Sequence, residues 1–488
     1  MAAFAGRALP AWYDDAKLGV FIHWGLFSIP AFAPKVGKIS DIFKTDYRRA
    51  VALSPYTEWY ENAIKSPDTP SAAFHRETYG GAPYRSFREP FLAGLAHWDP
   101  DAWAEAIAGS GARYVVLVTK HHDGFCLWPS DVANPHVHGW RTERDVVGEL
   151  AAAVRRAGLR FGVYYSGGID WSFNPEPLRT LMDFVGSVPG GPYLAYAAAQ
   201  TRELVERYQP SVLWNDISWP TSQDDLDALF DDYYAAVPDG VVNDRWKTPT
   251  FTSRLLRHKL PRLVLDRMIE ARAAKAGAGA DGVVPPPVPH SDFRTPEYVR
   301  FADIQDRKWE ATRGMSHSFG FNRNDTEADY ESAEHLLLEL IDSVSKGGNL
   351  LLNIGPRGDD AQIPTPQLDR LKAIGAWLRE NGEAVYATRP WRIAEAQTAD
   401  GAPVRFTTSG GRLNIIPLVS VGGAELVVNG VALSGLGVRL SDGCPVELRP
   451  EGEATRMIFA RPRTGAFAPA VAVEGGALQK PGLGTAKP

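Results

Sequence analysis

From Trp12 to about Asn381, short β-rich runs alternate with stretches whose apolar positions recur at helical spacing. This is the pattern of successive parallel βα units. Strands are expected at 18–22, 114–119, 161–165, 212–214, 241–242 and 350–353. Between them, 144–157 puts Val146, Leu150 and Val154 on one helical face, and 194–208 and 222–236 are amphipathic in the same way. Polar and aromatic residues collect just past the strands: His23 and Trp24, Lys120 to Asp123, Ser166, Asn215 and Asp216, and Asn243 to Arg245. A doubly wound sheet would gather its chemistry at one topological switch, whereas contributions from many successive strand ends predict an α/β fold of the (β/α)8-like (TIM-type) barrel kind. Beyond Gly382 the texture changes to short β-rich runs broken by Gly410-Gly411, Gly422-Gly423, Asn429-Gly430 and Asp442-Gly443, which predicts a C-terminal β-sandwich. The expected division is a catalytic barrel over 1–382 with a long insertion at about 248–290, the β-sandwich over 383–462, and a flexible tail over 463–488.

The insertion breaks the rhythm. A basic amphipathic run from Arg254 to Lys275 is followed by Ala276-Gly277-Ala278-Gly279-Ala280 and then Pro285-Pro286-Pro287. Loops of this length are functional lids or disordered excursions, and at the level of sequence both readings stand.

Composition narrows the partners. With 44% hydrophobic and 23% charged residues, the 488-residue chain can bury a large core, so disorder is not the default. A net charge of -6 offers no basic face for nucleic acid or an anionic membrane, and a neutral small-molecule substrate fits better. No apolar run is long enough to cross a bilayer. Cys126 and Cys444, far apart in sequence, do not make a disulfide framework and suit a reducing compartment. The first ten residues lack a sustained apolar core, so a cytoplasmic location is expected. An oligomer is left open.

The most informative stretch runs from Ser211 to Pro220, where an apolar strand enters a carboxylate, Asp216, flanked by Trp214 and Trp219. Tryptophan faces pack against the C–H faces of a pyranose, and a carboxylate at the exit of a buried strand is held rigidly enough to attack an anomeric carbon. A capping role for Asp216 at the helix near Ser222 is geometrically poor, because several residues including Pro220 intervene. A retaining glycosidase needs a second carboxyl as acid/base. Glu297 sits beside Tyr298 after the proline-rich excursion, where an apolar wall would raise its pKa; Glu310 is its rival, with an ion pair to a nearby Arg as the alternative reading. His121 and His122, with His23, could form a metal site. Adjacent histidines on a strand point to opposite faces, and no His-Glu-x-x-His helix or Cys cluster accompanies them. Neutral imidazoles that hydrogen-bond sugar hydroxyls are the preferred reading, and no metal or organic cofactor is expected. Arg245 either positions a carboxylate or hydroxyl or makes a structural salt bridge. The glycines Gly347 and Gly348 precede a strand, the reverse of a phosphate cradle.

Taken in order, a set of segments resembles the retaining α-L-fucosidases, glycoside hydrolase family 29. They are Lys17 to Gly25, Glu58-Trp59-Tyr60, Thr119 to Phe125, Val163 to Ser166, Leu213 to Asp216, Val242 to Trp246, Asp292 to Tyr298 and Ser318 to Asn322. The resemblance implies an exo-acting enzyme on terminal α-L-fucosyl linkages of glycans or oligosaccharides, with Asp216 as nucleophile and Glu297 as acid/base. It also implies that His23, His121, His122, Tyr164 and Arg245 hold the sugar, that Glu58 and Trp59 close the site, and that Trp214 and Phe319 receive its C5 methyl group. The long spacing from Arg245 to Glu297 departs from the simpler members and points to an altered leaving-group side. A barrel glycosidase for another sugar such as a galactoside, or a non-catalytic carbohydrate-binding relative, are the alternatives.

Overall fold

The computed structural model describes residues 4, 6–37, 39–250, 253, 255–273, 285–420, 423–462 and 467–474. Seven parallel strands, β1 (Leu18–Ile22), β2 (Tyr114–Lys120), β3 (Arg160–Ser166), β4 (Val212–Asp216), β5 (Val241–Val242), β6 (Trp309–Arg313) and β7 (Gly348–Ile354), form a curled sheet in the order β5-β4-β3-β2-β1-β7-β6. The gap between β5 and β6 is bridged by an extended segment, 292–297. The Asp292 amide donates to the Val242 carbonyl (2.9 Å), and the Arg294 amide to Lys308 (3.0 Å); the Glu310 amide donates back to Arg294 (2.8 Å) and that of Thr312 to Pro296 (3.2 Å). With this segment as an eighth stave, the ring follows chain order throughout, which is the (β/α)8 arrangement. β5 is only two residues long because the Asn243 side chain replaces the next ladder step, accepting from the Asn215 amide (3.0 Å) and donating to its carbonyl (2.8 Å).

The strands alternate strictly between two cores. Outward residues such as Val20, Leu117, Val163, Leu213 and Leu352 pack beneath helices that include α1 (Val146–Arg156), α2 (Pro192–Tyr208), α3 (Gln223–Ala236), α5 (Ala333–Ser345) and α6 (Thr365–Asn381), whereas α4 (Lys259–Ala273), in the excursion, lies outside that core. Inward residues Phe21, Tyr114, Val116, Tyr164, Val212, Trp214, Phe293 and Leu351 fill the barrel, with Tyr13 packed among them. β6 carries no apolar run, and its polar residues follow from that alternation: Trp309 and Ala311 join the outer core, while buried Glu310 and Thr312 belong to the inner face.

The excursion is partly docked in the described residues. From α4, buried Asp266 accepts hydrogen bonds from Tyr47 Oη (2.8 Å) and Thr180 Oγ1 (3.0 Å), and Arg262 pairs with Asp183 (3.3 Å). Its remaining part, 274–284, lies outside the described residues, as do 251, 252 and 254.

Strands β8 (Arg389–Thr398), β9 (Pro403–Ser409), β10 (Arg412–Pro417), β11 (Glu425–Asn429), β12 (Gly435–Arg439), β13 (Cys444–Glu451), β14 (Ala454–Phe459) and β15 (Val471–Val473) build the C-terminal unit. The two layers of the expected sandwich are joined edge to edge into a closed antiparallel ring around Trp391, Phe406, Val446 and Met457. Part of the stretch expected as a flexible tail is structural: β15 pairs with both β10 and β12 and closes the ring, its short apolar run buried on every residue. Residues 475–488 of that tail lie outside the described residues. Among the described residues no helix is long and apolar enough to cross a membrane.

Asp266→Ala should lower stability by about 2 kcal/mol, since it leaves two buried hydroxyls without their acceptor. The excursion should become the preferred site of limited proteolysis. An unchanged thermal midpoint and cleavage pattern would show that this clamp does not hold the excursion.

Candidate active site

At the C-terminal ends of the strands lies a cavity of about 250 Å³. His23, Glu58, Trp59, His121, His122, Tyr164, Trp214, Asp216, Arg245, Glu297 and Phe319 all line it, so the residues singled out in sequence converge there apart from Glu310 and Trp219. Strand ends supply most of them. Glu58 and Trp59 come from the segment between β1 and β2, and Phe319 from the loop after β6.

Arg245 organises the carboxylates. Its Nη1 lies 3.1 Å from Asp216 Oδ1 and its Nη2 2.6 Å from Glu297 Oε1. The guanidinium is itself fixed by Thr295, through Nε to Oγ1 (3.0 Å) and Nη2 to the carbonyl (3.0 Å), and Thr295 in turn donates from its amide (3.0 Å) and hydroxyl (2.7 Å) to Asp244. Asp216 also accepts from Tyr164 Oη (2.9 Å). Burial raises the pKa of Glu297; Arg245 opposes this and the charge of Asp216 adds to it.

The loop after Asp216 is strained. Ile217 and Ser218 both adopt left-handed backbone angles, with φ of 56° and 83°, a costly conformation for a β-branched residue. It is held by hydrogen bonds from the Ser218 amide to the Arg245 carbonyl (3.1 Å) and from the Trp219 amide to Lys247 (2.9 Å). Gly168 makes room for it: a Cβ there would meet the Ile217 carbonyl oxygen at 1.6 Å. This geometry turns the chain away so that Ile217 lines the cavity beside Asp216.

The histidines are neutral. Burial pushes His23 down to about 4, and His121 and His122 are likewise driven well below the ordinary range, first by burial and then by neighbouring positive charge. His23 Nδ1 sits 2.5 Å from Asn353 Oδ1 and His122 Nδ1 2.6 Å from Ser166 Oγ, which fixes both rings. The His121 ring stacks on Tyr164 at 5.5 Å, and its buried Nδ1 has no hydrogen-bond partner among the described residues. Among the described residues no group of three or more His, Cys, Asp or Glu is disposed to hold a metal. Glu58 is buried and pushed up to about 7 by desolvation, although the Gly320 amide donates to it (3.0 Å).

Trp214 lies over the cavity floor, parallel to Tyr164 (5.5 Å) with Arg245 above its ring (5.1 Å). Trp219 does not share that floor. Fully buried, it packs on Trp246 (4.9 Å) and donates to Thr221, because the strained turn redirects it toward the outer core. The helix α3 is capped by Ser222, which accepts from the Asp225 amide, so Asp216 has no capping role. Glu310 lies deeper than the cavity, on the inner face of β6, where it accepts from Tyr13 (2.8 Å), Tyr114 (2.5 Å) and Trp214 Nε1 (3.2 Å) rather than pairing with an Arg. Sequence reasoning missed Tyr56 and Thr312 in the wall and Asn353 behind His23, and Ser166, noted at its strand end without a role, is what fixes His122. Tyr56 stood beside a quoted segment; Thr312 and Asn353 sit on strands whose inward face only the barrel defines.

Comparison with known proteins gives a consistent picture. The family model described as alpha-L-fucosidase matches residues 2–383. A tissue alpha-L-fucosidase of Bos taurus is 32% identical over 418 residues, covering 83% of this chain and 74% of that protein. The solved structure of the Thermotoga maritima alpha-fucosidase with a mechanism-based inhibitor is 37% identical, covers 96% of this chain and 97% of its own, and superposes with a TM-score of 0.79. An α-L-fucosynthase from the same organism, solved with α-L-Fuc-(1-2)-β-L-Fuc-N3, is also 37% identical over 96% of this chain and 98% of its own, with a TM-score of 0.81.

Glu310 generates a pH test. Burial pushes it up from 4.5 to about 7 against its three donors, so the folded state keeps a proton that the unfolded chain has lost. The stability this contributes is full below the unfolded value and is lost as pH rises through about 7. Glu310→Gln has no such proton to lose. The wild-type midpoint minus that of the variant should therefore fall between about pH 4.5 and pH 7; a flat difference would contradict a raised pKa at Glu310.

Proposed function

The chain belongs to the α-L-fucosidase family, glycoside hydrolase family 29, and on that premise we propose that it is an exo-acting retaining α-L-fucosidase in which Asp216 is the nucleophile and Glu297 the acid/base. The observation that carries the assignment is that one guanidinium, Arg245, holds both carboxylates at the wall of one cavity. Carboxylates bridged by a single Arg suit the short spacing of retaining enzymes, about 5–5.5 Å, better than the wider gap that inverting enzymes keep for a water.

In the first step an Asp216 oxygen attacks C1 of the fucosyl residue, the C1–O bond to the leaving group breaks, and Glu297 gives its proton to the departing oxygen. A fucosyl ester on Asp216 results. Water then attacks C1 while Glu297 takes its proton, Asp216 leaves as the carboxylate, and L-fucose is released with retained configuration. The raised pKa of Glu297 suits the acid half of this cycle. Arg245, 3.1 Å from Asp216 Oδ1, holds that carboxylate in place for attack. Tyr164, on the other Asp216 oxygen, fixes its orientation.

Neutral His23, His121 and His122 can donate to or accept from sugar hydroxyls, and a hydroxyl would satisfy the orphaned Nδ1 of His121. Phe319 packs against His23 (5.0 Å) and Trp214 against Phe21 (5.3 Å), which offers the C5 methyl an apolar surface. Burying that methyl contributes about 1 kcal/mol, whereas a hydroxyl in its place would lose its water partners. The substrate is accordingly read as a terminal α-L-fucosyl group on an oligosaccharide or glycan. A cytoplasmic location is also proposed, supported by the buried free thiols of Cys126 and Cys444.

Asp216→Asn should lower the rate of 4-nitrophenyl α-L-fucoside hydrolysis by roughly 10⁴-fold with the fold intact, and a 2-fluoro-fucosyl fluoride should label the wild type on Asp216. Labelling elsewhere would sink the nucleophile assignment. Glu297→Gln should cost about 10²–10⁴-fold on fucosylated oligosaccharides and far less in the fucosylation step with the activated aryl substrate. An equal loss on both substrates would remove Glu297 from the acid role.

A further inference from the structure

Two of the three cavity histidines rest on a buried side chain whose own hydrogen bond fixes which atom carries the proton. Ser166, at the end of β3, is fully buried, and its Oγ lies 2.6 Å from the Ile169 carbonyl oxygen and 2.6 Å from His122 Nδ1. Two oxygens that close need a proton between them, and a carbonyl has none to give. The single hydroxyl proton of Ser166 therefore points at Ile169, and its oxygen accepts from His122 Nδ1–H. Asn353, buried on β7, acts on His23 in the same way. Its Nδ2 donates to the Phe319 carbonyl (2.5 Å), which settles the orientation of the amide, and its Oδ1 is left to accept from His23 Nδ1–H (2.5 Å).

Both rings are neutral, because burial drives them below the ordinary imidazole range, and a neutral imidazole carries one N–H. With that proton on Nδ1, the other nitrogen, Nε2, presents a lone pair. Neither Nε2 has a hydrogen-bond partner among the described residues, and both rings line the cavity together with Asp216 and Glu297. His121 differs. No group among the described residues meets its Nδ1, so nothing there fixes its tautomer.

We infer that Ser166 and Asn353 are positioning residues that lock His122 and His23 as hydrogen-bond acceptors toward the cavity, so that the bound sugar has to offer each of them a hydroxyl proton. The inference rests on the fucosidase reading for the identity of the sugar, though not for the tautomers. It gives the site a direction: a hydroxyl satisfies each Nε2, whereas fluorine or an ether oxygen sets lone pair against lone pair. Replacing one such hydroxyl by fluorine or by hydrogen should cost about tenfold in affinity, since the desolvated nitrogen is left without a donor. The locks are tied to the walls of the site. Ile169 follows Gly168, which makes room for the strained turn, and Phe319 lines the cavity, so the two carbonyls that set the tautomers come from segments that shape the site.

The test uses the full-length protein with isotope-labelled histidine at about pH 7, where both rings are neutral. Two-bond proton–nitrogen NMR correlations distinguish the tautomers, and the signals of His23 and His122 are assigned by their loss in His23→Gln and His122→Gln. Both should read as Nδ1–H in the wild type; an Nε2–H pattern at either ring would overturn its lock. In Ser166→Ala the His122 pattern should leave Nδ1–H while the other histidine signals stay in place, and Asn353→Ala should do the same to His23. An unchanged pattern would remove that residue from the positioning role. Competition by free sugars against 4-nitrophenyl α-L-fucoside hydrolysis reads the acceptors directly. At two of the three ring hydroxyls beyond the anomeric carbon of L-fucose, the deoxyfluoro sugar should inhibit as weakly as the deoxy sugar, both about tenfold below L-fucose. Deoxyfluoro sugars that all match L-fucose would overturn the acceptor role. A wild type that neither hydrolyses the aryl fucoside nor binds L-fucose, with both rings still Nδ1–H, would overturn the fucosidase reading and the hydroxyl contacts with it, and leave the tautomers standing.

Discussion

The ion pairs of Arg245 with Asp216 and Glu297 join three successive staves of the barrel at the point where the regular sheet gives out. β5 contributes only two ladder residues, and the next stave is an extended segment held by four backbone hydrogen bonds to its neighbours. Charge does what the ladder does elsewhere. Burial and the charge of Asp216 raise the pKa of Glu297, and the guanidinium between the two groups, itself pinned by Thr295, opposes that shift. Asp244, accepting from Thr295, completes a chain of contacts in which each member fixes the next. The same contact therefore closes the barrel and sets the geometry of the site.

Beneath that site the barrel interior is polar to an unusual degree for a packed core. Glu310 takes three hydrogen bonds from Tyr13, Tyr114 and Trp214, and so ties the floor of the cavity to the bottom of the barrel. Deleting one partner of such a network leaves the others desolvated and unpaired, which makes each member costly to change. Around the cavity, burial drives the histidines to the neutral form, and neutral rings can serve as donor at one nitrogen and acceptor at the other. Desolvation thus acts in opposite senses on neighbouring groups: it raises Glu58 and Glu310 to about 7 and lowers His23, His121 and His122 below the ordinary imidazole range.

The excursion between Arg245 and Glu297 is where the chain departs from a minimal barrel. Its helix α4 is anchored by the buried carboxylate of Asp266, and its flanks wall a cavity that adjoins the one lined by Asp216 and Glu297. The strained turn at Ile217 and Ser218 stands between the two cavities and is fixed by Gly168 on one side and by backbone bonds to Arg245 and Lys247 on the other. Strain next to Asp216 is sustained only where the surroundings over-determine it, as they do here.

Six of the seven parallel strands were legible in sequence, because each carries a short apolar run that packs beneath helices. The residues of the cavity were legible too, since they stand just past strand ends in segments that resemble a known family. β6 and the 292–297 stave were not legible: their inward residues are Glu310 and Thr312 on one and Phe293, Thr295 and Glu297 on the other, so a strand whose inner face is mostly polar loses the apolar signature on which periodicity depends. The two tryptophans around Asp216 look equivalent in sequence, yet the left-handed turn sends Trp219 to the outer core and leaves Trp214 at the floor. Glu297 and Glu310 were rivals for one role as long as each was only a Glu beside an aromatic. Depth along the barrel axis separates them, and depth is set by the register of neighbouring strands. Local chemistry is written in the order of residues along the chain, whereas which carboxyl meets Arg245 and which meets three buried donors is decided by closure of the barrel.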